Sequence, residues 1–366
     1  MNHASFTLRD RSPLAHWGLL LAGSAIFIGA LELVGLPAAI LLGAMLAALI
    51  VSSLEGTVAF PDWLYVSAQG LVGCLIARAI GPGILSEMLA RWPVFLVCVT
   101  AVIVFSTALG GLLAWFKVLP GTTAIWGSAP GAATAMAIMA EAFGADIRLV
   151  AFMQYMRVIF VATIASIVAH VVAVHSGGAP PRDWFPPIPP LPLAETLVLA
   201  IGGAFIGTRL KLPAGALLVP LFAGITLSGF GIVTITLPPL LLAACYTLVG
   251  WAIGRRFNRE IVLYAAKAFP RVAASTLALI GLCGGLAWGL HVVAGTDPLT
   301  AYLATSPGGA DSVAIIAASS KVDVPFVMAM QTARFLLVLL IGPSLARAIA
   351  RRIEKKNLTA EGTENR

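Results

Sequence analysis

Residues 128–141 read SAPGAATAMAIMAE, and residues 305–318 read TSPGGADSVAIIAA. A Pro-Gly pair inside an apolar run interrupts a helix, because proline lacks an N–H and clashes with the preceding turn, while glycine adopts backbone angles that other residues avoid. The same interruption therefore occurs twice in the chain. The two stretches predict a duplicated architecture with one broken helix in each copy.

The similarity between the two stretches extends well beyond the Pro-Gly pairs. Positions 128–157 and 305–334 share eleven identities in thirty positions without a gap. Further matches follow at a nearly constant offset, as between LVGCLIAR at 71–78 and LVGWAIGR at 248–255. Polar identities in apolar surroundings indicate duplication, and not merely shared hydrophobicity. They are the pairs Asp146/Asp323, Gln154/Gln331 and Arg157/Arg334.

The composition places the chain among integral membrane proteins. Of its 366 residues, 59% are hydrophobic and 11% are charged, and the mean hydropathy is +0.97; soluble domains are about 45–50% apolar and about 25% charged. The apolar runs are long enough for α-helices that cross about 30 Å of hydrocarbon. The net charge of +7 would favour binding of nucleic acid, but the basic residues cluster beside helix ends, as the positive-inside rule expects of cytoplasmic loops. We therefore expect an all-α polytopic membrane protein that contacts the lipid bilayer and does not bind nucleic acid directly.

Twelve apolar runs define the expected organisation, with six on each side of a Pro-rich segment at 176–192 that is predicted to be non-helical. We expect about 10–12 membrane segments from these runs. The chain divides into an N-terminal tail at 1–16, membrane repeat 1 at 17–175, a linker at 176–193, membrane repeat 2 at 194–349 and a C-terminal tail at 350–366.

Basic residues constrain the topology. One basic cluster lies at 255–271 and another in the C-terminal tail, with three apolar runs between them. The positive-inside rule puts both clusters, and hence the C-terminus, in the cytoplasm. Two segments on the same side of a membrane must be separated by an even number of crossings, so one of the three runs is expected not to cross. The broken Pro-Gly segment is the first candidate, and the paired runs joined at 35–37 and 211–213 are the second. Either choice leaves an odd number of crossings in each copy, which predicts inverted repeats.

In a bilayer, irregular backbone is tolerated only where it is buried in protein or lines a watery cavity. Two broken helices are therefore expected to meet inside the protein, where half-helix N-termini could bind an anion and freed carbonyls a cation. Alternatively, both Pro-Gly pairs are kinks or close-packing points. The candidate substrate-binding and ion-binding residues are Ser128, Pro130, Gly131, Thr134, Gln154 and Arg157 in the first copy, and Thr305, Ser306, Pro307, Gly308, Gly309, Asp311, Ser312, Gln331 and Arg334 in the second.

Several of these candidate residues have two interpretations. Asp311 aligns with Thr134, so the expected site has one carboxylate, which either takes up Na⁺ or a proton or caps the half-helix after Gly309. Each Gln-Arg pair has i, i+3 spacing and shares one helix face. A guanidinium has no accessible neutral form, so each arginine binds either the unwound carbonyls of its own copy or the substrate. Asp146 and Asp323 are predicted to be N-terminal caps.

No pattern in the sequence indicates catalysis or a cofactor. The five histidines lack metal-ligand spacing, and there is no nucleophile motif or phosphate-binding loop in a soluble βα context. The four cysteines lie in apolar runs without Cys-x-x-Cys spacing, which favours packing roles. We expect a protein that is not an enzyme, without metal or cofactor, with Na⁺ or H⁺ as coupling ion.

The paired motifs SAPGA…Gln154-x-x-Arg157 and SPGGA…Gln331-x-x-Arg334, together with LPAAILLG at 36–43, resemble the bacterial membrane AbrB family with its AbrB duplication domain. The resemblance covers residues 17–349. Members carry names such as AbrB family transcriptional regulator and ammonia monooxygenase. A copper monooxygenase would need a cluster of His ligands, and a direct DNA-binding protein would need a soluble basic module; the chain has neither pattern.

A second, shorter resemblance concerns PGGADS at 307–312, which is similar to the crossover motif of bile-acid-symporter and Na⁺/H⁺-antiporter-like carriers. The first copy departs from it at Ala132 and Thr134. The leading hypothesis is a cytoplasmic (inner) membrane carrier that moves a small anionic solute by alternating access, coupled to Na⁺ or protons through Asp311. The alternative is a membrane-embedded sensor or regulator that acts indirectly on gene expression. Either protein could form a homo-oligomer.

Overall fold

A computed structural model describes residues 12–36, 38–56, 60–79, 91–116, 118–119, 122–129, 145–175, 184–212, 214–257 and 268–338, together with a few isolated positions. All regular secondary structure in these residues is α-helical. The helices are α1 (Pro13–Leu33), α2 (Ala39–Ser53), α3 (Asp62–Ala79), α4 (Trp92–Trp115), α5 (Thr123–Ser128), α6 (Ile147–His175), α7 (Pro190–Arg209), α8 (Gly215–Gly229), α9 (Pro239–Gly254), α10 (Phe269–Ala294), α11 (Pro298–Thr305), α12 (Ala310–Ala318) and α13 (Val324–Val338).

Five helices are long and apolar enough to cross a membrane, namely α1, α4, α6, α7 and α10. Helices of at least 20 residues reach about 30 Å, the thickness of the hydrocarbon layer. No more than 39% of the apolar window of any of them is buried inside the chain. Helices that are apolar on their exposed faces suit lipid and not water. The expected class, an all-α polytopic membrane protein, is confirmed.

One compact unit comprises residues 1–90, 162–262 and 310–329. In this unit α2 packs against α1 and α9, and α3 packs against α7, α8 and α9. Glycine allows the backbones of two membrane helices to approach closely. A Cβ atom at Gly250 of α9 would lie 2.6 Å from the carbonyl oxygen of Leu41 in α2. A larger residue at that position would force the two helices apart.

Helices α2 and α8 begin with the same uncommon backbone conformation. Ala38 has φ 57° and ψ 27°, and Ala214 has φ 52° and ψ 26°. These are left-handed angles, which cost energy for residues with a Cβ atom. Both residues are the alanine of a Leu-Pro-Ala segment, and they lie 176 positions apart in the chain. The matched sequence segments therefore share a local conformation as well as residue identities.

The other compact unit comprises residues 91–161, 263–309 and 330–366. Within it α4 packs against α5 and α10, and α10 packs against α11. Val102 of α4 forms a buried apolar cluster with Leu279 and Cys283 of α10. The unit also includes the first half of α6 and the second half of α13. Both Gln-Arg pairs therefore belong to this unit.

The Pro-rich segment ends earlier than the sequence predicts. Residues up to Pro192 are expected to be non-helical, but α7 begins at Pro190 and contains Pro192. Proline is tolerated in the first turn of a helix because the first N–H groups have no acceptor within the helix. The prediction is wrong for these last three residues. Residues 176–183 lie outside the described part of the chain.

Candidate functional site

The second Pro-Gly stretch forms a break between two short helices. Helix α11 ends at Thr305, Ser306 has extended backbone angles (φ −59°, ψ 136°), and α12 begins at Ala310. Pro307 and Gly308, which lie in the break, are buried. At about 1.5 Å per residue the two helices are about 12 and 14 Å long, too short to cross hydrocarbon separately. The predicted broken helix is confirmed at this stretch.

Hydroxyl groups at the end of α11 bind carbonyl groups inside the protein. Thr305 Oγ1 donates to Ala301 O at 3.0 Å and contacts Cys283 O at 3.2 Å. Ser306 Oγ donates to Leu303 O at 3.0 Å. Both side chains are buried. Their protons therefore stabilise the end of the helix, which leaves only their lone pairs available to a ligand.

The first Pro-Gly stretch begins in the same way. Helix α5 ends at Ser128, and Ala129 has extended angles (φ −58°, ψ 127°) close to those of Ser306. The hydroxyl of Ser106 in α4 donates to Ser128 O at 2.6 Å. The helix therefore stops at equivalent positions in both copies. The remaining candidates of this stretch, Pro130, Gly131 and Thr134, lie outside the described residues.

Gln331 and Arg334 of α13 hold the end of α11 and the start of the break. Gln331 Nε2 donates to Leu303 O at 2.7 Å and to Ser306 O at 3.2 Å. Arg334 donates from Nη1 to Ser306 O and from Nη2 to Gly308 O at 2.7 Å. Its Nη2 also donates to Gln331 Oε1 at 2.6 Å. These bonds supply partners for carbonyl groups that a continuous helix would have satisfied itself.

Gln154 and Arg157 of α6 make equivalent bonds in the first copy. Gln154 Nε2 donates to Trp126 O at 3.0 Å and to Ala129 O at 2.9 Å. Arg157 Nη1 donates to Ala129 O at 3.0 Å, and its Nη2 donates to Gln154 Oε1 at 2.6 Å. Both carbonyl bonds of Gln154 thus have counterparts 177 positions away at Gln331. The additional bond from Gln331 Nε2 to Ser306 Oγ at 3.4 Å has no counterpart, because residue 129 is alanine. Of the two roles predicted for the arginines, these contacts correspond to the binding of each copy's own unwound carbonyls.

The two guanidinium groups are buried, and their hydrogen-bond partners in the described part of the chain are neutral. Arg157 and Arg334 are each 5% exposed, and no carboxylate of the described residues pairs with either of them. The Nε of each arginine has no hydrogen-bond partner there. Carbonyl oxygens satisfy hydrogen bonds but do not neutralise the positive charge of a guanidinium group.

Comparison with known proteins gives the family. A family model described as "Transition state regulatory protein AbrB" matches residues 40–350. The chain belongs to the AbrB family. It is 42% identical over 347 residues to the "Putative regulator AbrB" of Escherichia coli (strain K12), with 94% of this chain and 99% of that protein covered. It is 23% identical to the "Uncharacterized protein YhjN" of Bacillus subtilis (strain 168), with 91% and 92% covered. No solved structure matches.

The aspartates of this AbrB-family protein have different positions in the structure. Asp146 Oδ1 accepts hydrogen bonds from Arg148 N at 2.9 Å and Leu149 N at 3.2 Å. Asp323 Oδ1 accepts one from Phe326 N at 3.0 Å. Both are N-terminal caps, as predicted. Asp311 is the second residue of α12, and its side chain lies outside the described part.

The neighbours of Asp311 also lie in the second stretch. Gly309 precedes α12 and is half-buried, and Ser312 follows Asp311 within the helix and is buried. Within the residues that the structure describes, no three His, Cys, Asp or Glu side chains are grouped as metal ligands would be. The polar groups that the structure does bring together are the two Gln-Arg pairs and the carbonyls of the breaks.

A cavity beside Arg157 contains polar residues that sequence reasoning missed. Ser106, Ser275 and Thr276 line it together with Ser128. Single hydroxyl residues in long apolar helices carry no spacing signal, so they resemble ordinary packing positions. Comparison of the two copies could have revealed them. At an offset of 177 residues, Ser106 corresponds to Cys283, Ser275 to Cys98 and Thr276 to Val99, so each of these hydroxyls is missing at the matching position of the other copy.

Proposed function

We propose that this AbrB-family protein is a secondary transporter of a small anionic solute that works by alternating access. The observation that supports the proposal is the pair of buried arginines, Arg157 and Arg334, which have no carboxylate partner among the described residues. An uncompensated buried charge is costly. A protein that only needed to hold carbonyl groups could do so with neutral donors such as the neighbouring glutamines.

The broken helix supports transport more than a purely structural role. Irregular backbone at membrane depth is tolerated where it is buried or lines a cavity, and carriers use it to bind solutes and ions. In this chain a buried arginine binds a carbonyl group just after the end of α5 and another binds carbonyl groups just after the end of α11. Gln331 and Arg334 together hold the second break through three carbonyl groups. A site of this kind attracts an anion from either side of a membrane.

We propose Asp311 as the residue that couples transport to Na⁺ or protons, because an ionisable group in a broken membrane helix is a functional candidate. The protein is proposed to lie in the cytoplasmic (inner) membrane with its C-terminus in the cytoplasm, since the basic clusters follow the positive-inside rule. In this proposal it has no cofactor and is not an enzyme. Its partners are a small solute and the bilayer, with self-association into a homo-oligomer compatible with transport.

Uptake by proteoliposomes tests the transporter. Vesicles that contain the full-length protein are supplied with radiolabelled small anions under an imposed Na⁺ or proton gradient. We expect uptake above that of protein-free vesicles, a response to one of the two gradients, and loss of that response in Asp311→Ala. The capping variant Asp323→Asn is the matched control, because asparagine can also cap a helix. Gradient-independent uptake in wild type would contradict coupling.

A second function is favoured by the names of the family model and of the Escherichia coli relative, which both describe regulators. Such a protein would sense an anion in the membrane and act indirectly on gene expression. Absence of uptake across a broad anion panel, combined with altered transcript levels in a deletion strain, would support this regulator. Restoration of the transcripts by Arg157→Leu would then exclude anion sensing at the arginines.

A further inference from the structure

Helices α2 and α3 of the first copy pack against helices α9 and α8 of the second copy, all within one compact unit. A Cβ atom at Gly250 of α9 would lie 2.6 Å from Leu41 O in α2, and a Cβ atom at Gly73 of α3 would lie 2.5 Å from Leu217 O in α8. Gly73 and Gly250 are 177 positions apart, and Leu41 and Leu217 are 176 apart. The two contacts are therefore the same contact with the two copies exchanged.

A second pair of contacts repeats this exchange one turn later. A Cβ atom at Gly254 of α9 would lie 2.7 Å from Ala48 Cβ in α2, and one at Gly224 of α8 would lie 2.7 Å from Ala77 Cβ in α3. Ala77 matches Gly254 in the duplicated sequence, and Ala48 matches Gly224. Small residues at both positions let the two backbones approach closely. Because a forward step along one helix accompanies a forward step along its partner, α2 is parallel to α9 and α3 is parallel to α8.

Helices α3 and α9 are the matching helices of the two copies, and they run in opposite directions. Asp62 begins α3, and its Oδ1 lies 3.7 Å from Nη2 of Arg255, the residue that follows α9. The Arg255 guanidinium also lies 4.2 Å from the centre of the Phe60 ring. Within the two helices Cys245 Sγ donates to Ala68 O at 3.2 Å, and these residues are 177 positions apart. Contact between matching positions is the property of residues beside a two-fold axis.

We infer that the two copies are inverted relative to each other and interlocked, so that each copy supplies the packing surface for the other. Copies of the same orientation would place the start of α3 beside the start of α9, and not beside its end. The contacts have the form of a two-fold dimer interface, in which residue i of one half contacts residue j of the other and j contacts i in return. The partner of the α2–α3 surface of the first copy is thus the α8–α9 surface of the second. This inference concerns assembly and goes beyond the proposed transport.

The ion pair at the end of this interface is not duplicated. Ser52 Oγ donates to Arg255 O at 3.1 Å, and Arg259 Nη1 donates to Glu55 Oε1 at 3.0 Å. At the offset of 176 residues Glu55 matches Gly231, which has no side chain to form an ion pair. Both residues have a positive φ, 66° and 70°, so the backbone is matched although the charge is not. The helix packing is therefore the symmetric part of the interface.

Labelling of matched positions tests the inversion. Trp63 and Leu240 are the second residues of α3 and α9, lie 177 positions apart and are 54% and 56% exposed. The four native cysteines are buried, so a cysteine at either position is the site for a membrane-impermeant maleimide. We expect Trp63→Cys and Leu240→Cys in the full-length protein to be labelled from opposite sides of the membrane. Labelling of both from the same side would overturn the inversion.

Cleavage between the copies tests the interlocking. A protease recognition sequence within residues 176–183 allows the purified full-length protein to be cut after it has folded. We expect the two fragments to stay together in size-exclusion chromatography, and a tag on the second fragment to retain the first. Gly73→Leu and Gly250→Leu should each speed the separation of the fragments about tenfold or more, and to a similar extent, because they widen equivalent contacts. Gly202→Leu in α7 is the control, because a Cβ atom there meets open space.

Two results would overturn the interlocked arrangement: separation of the wild-type fragments on cleavage, or faster separation in only one of the two leucine variants. If the leucine variants do not fold, Gly73→Ala and Gly250→Ala provide the test, since the first added carbon already meets a carbonyl oxygen. Uptake assays distinguish this inference from the proposed function. Fragments that stay together in a protein without uptake would keep the interlocked copies and reject the transporter, whereas uptake by a protein whose fragments separate would do the reverse.

Discussion

The hydrogen bonds of Gln331 allow a quantitative prediction for Gln331→Leu. Leucine has a similar volume but no polar atoms. The exchange removes the bonds from Nε2 to Leu303 O (2.7 Å) and Ser306 O (3.2 Å), and the bond that Oε1 accepts from Arg334 (2.6 Å). A neutral hydrogen bond contributes about 1 kcal/mol and one to a charged group about 2 kcal/mol. The free energy of unfolding should therefore fall by about 4 kcal/mol.

Thermal unfolding of the full-length protein in detergent measures this loss. For a chain of 366 residues, an unfolding entropy of roughly 2 cal/mol/K per residue converts the loss into a decrease in Tm of about 5 °C. Gln69→Leu is the matched control, because Gln69 makes one side-chain hydrogen bond within the described residues, to Tyr65 Oη at 3.0 Å. Its Tm should fall by about 1 °C. Equal shifts for the two variants would refute a special role for Gln331.

The variant Gln331→Glu separates stability from charge. Its carboxylate still accepts from Arg334, and the pair gains a charge-assisted bond that offsets part of the lost amide bonds. Its Tm should therefore lie between those of wild type and Gln331→Leu. The same carboxylate neutralises Arg334, so binding of an anion should weaken about tenfold or more. Wild-type anion binding by Gln331→Glu would contradict the inference that the uncompensated positive charge attracts the ligand.

Three further predictions concern helix packing, helix capping and topology. Gly250→Leu should lower the free energy of unfolding by about 1–3 kcal/mol, because the new side chain meets Leu41 O. The yield of monodisperse protein in size-exclusion chromatography should fall with it. Gly281→Leu is the control and should change neither quantity, because a Cβ atom at Gly281 meets open space. Asp323→Ala should cost about 1 kcal/mol in thermal unfolding through loss of the cap on Phe326 N, and Asp323→Asn should restore it. Reporter fusions in the loop after α9 and at the C-terminus should both report the cytoplasm. Reporters found on opposite sides of the membrane would contradict the inverted-repeat hypothesis.

Local sequence patterns predicted most helices of the fold. The apolar runs at 63–80, 92–116 and 238–254 predict α3, α4 and α9 to within one residue at each end. They do so because a helix in lipid must satisfy its own backbone and be apolar outside. The start of α7 at Pro190 was not predicted, since proline both ends helices and begins them. Whether a proline ends or begins a helix depends on the conformation of the residues before it, which a local sequence pattern does not specify.

The two Pro-Gly stretches, at 128–141 and 305–318, separate what the sequence specifies locally from what depends on tertiary structure. The sequence by itself determined that a helix breaks near residue 306 and that a glutamine and an arginine share one face of a later helix, because proline geometry and i, i+3 spacing are local properties. Only the tertiary structure decided that Gln331 and Arg334 bind the carbonyl groups of the break, and that Ser275 and Thr276 lie beside Arg157. Those contacts join residues that are 25 or more positions apart. They depend on how α10, α11 and α13 are arranged in space, which no local pattern specifies.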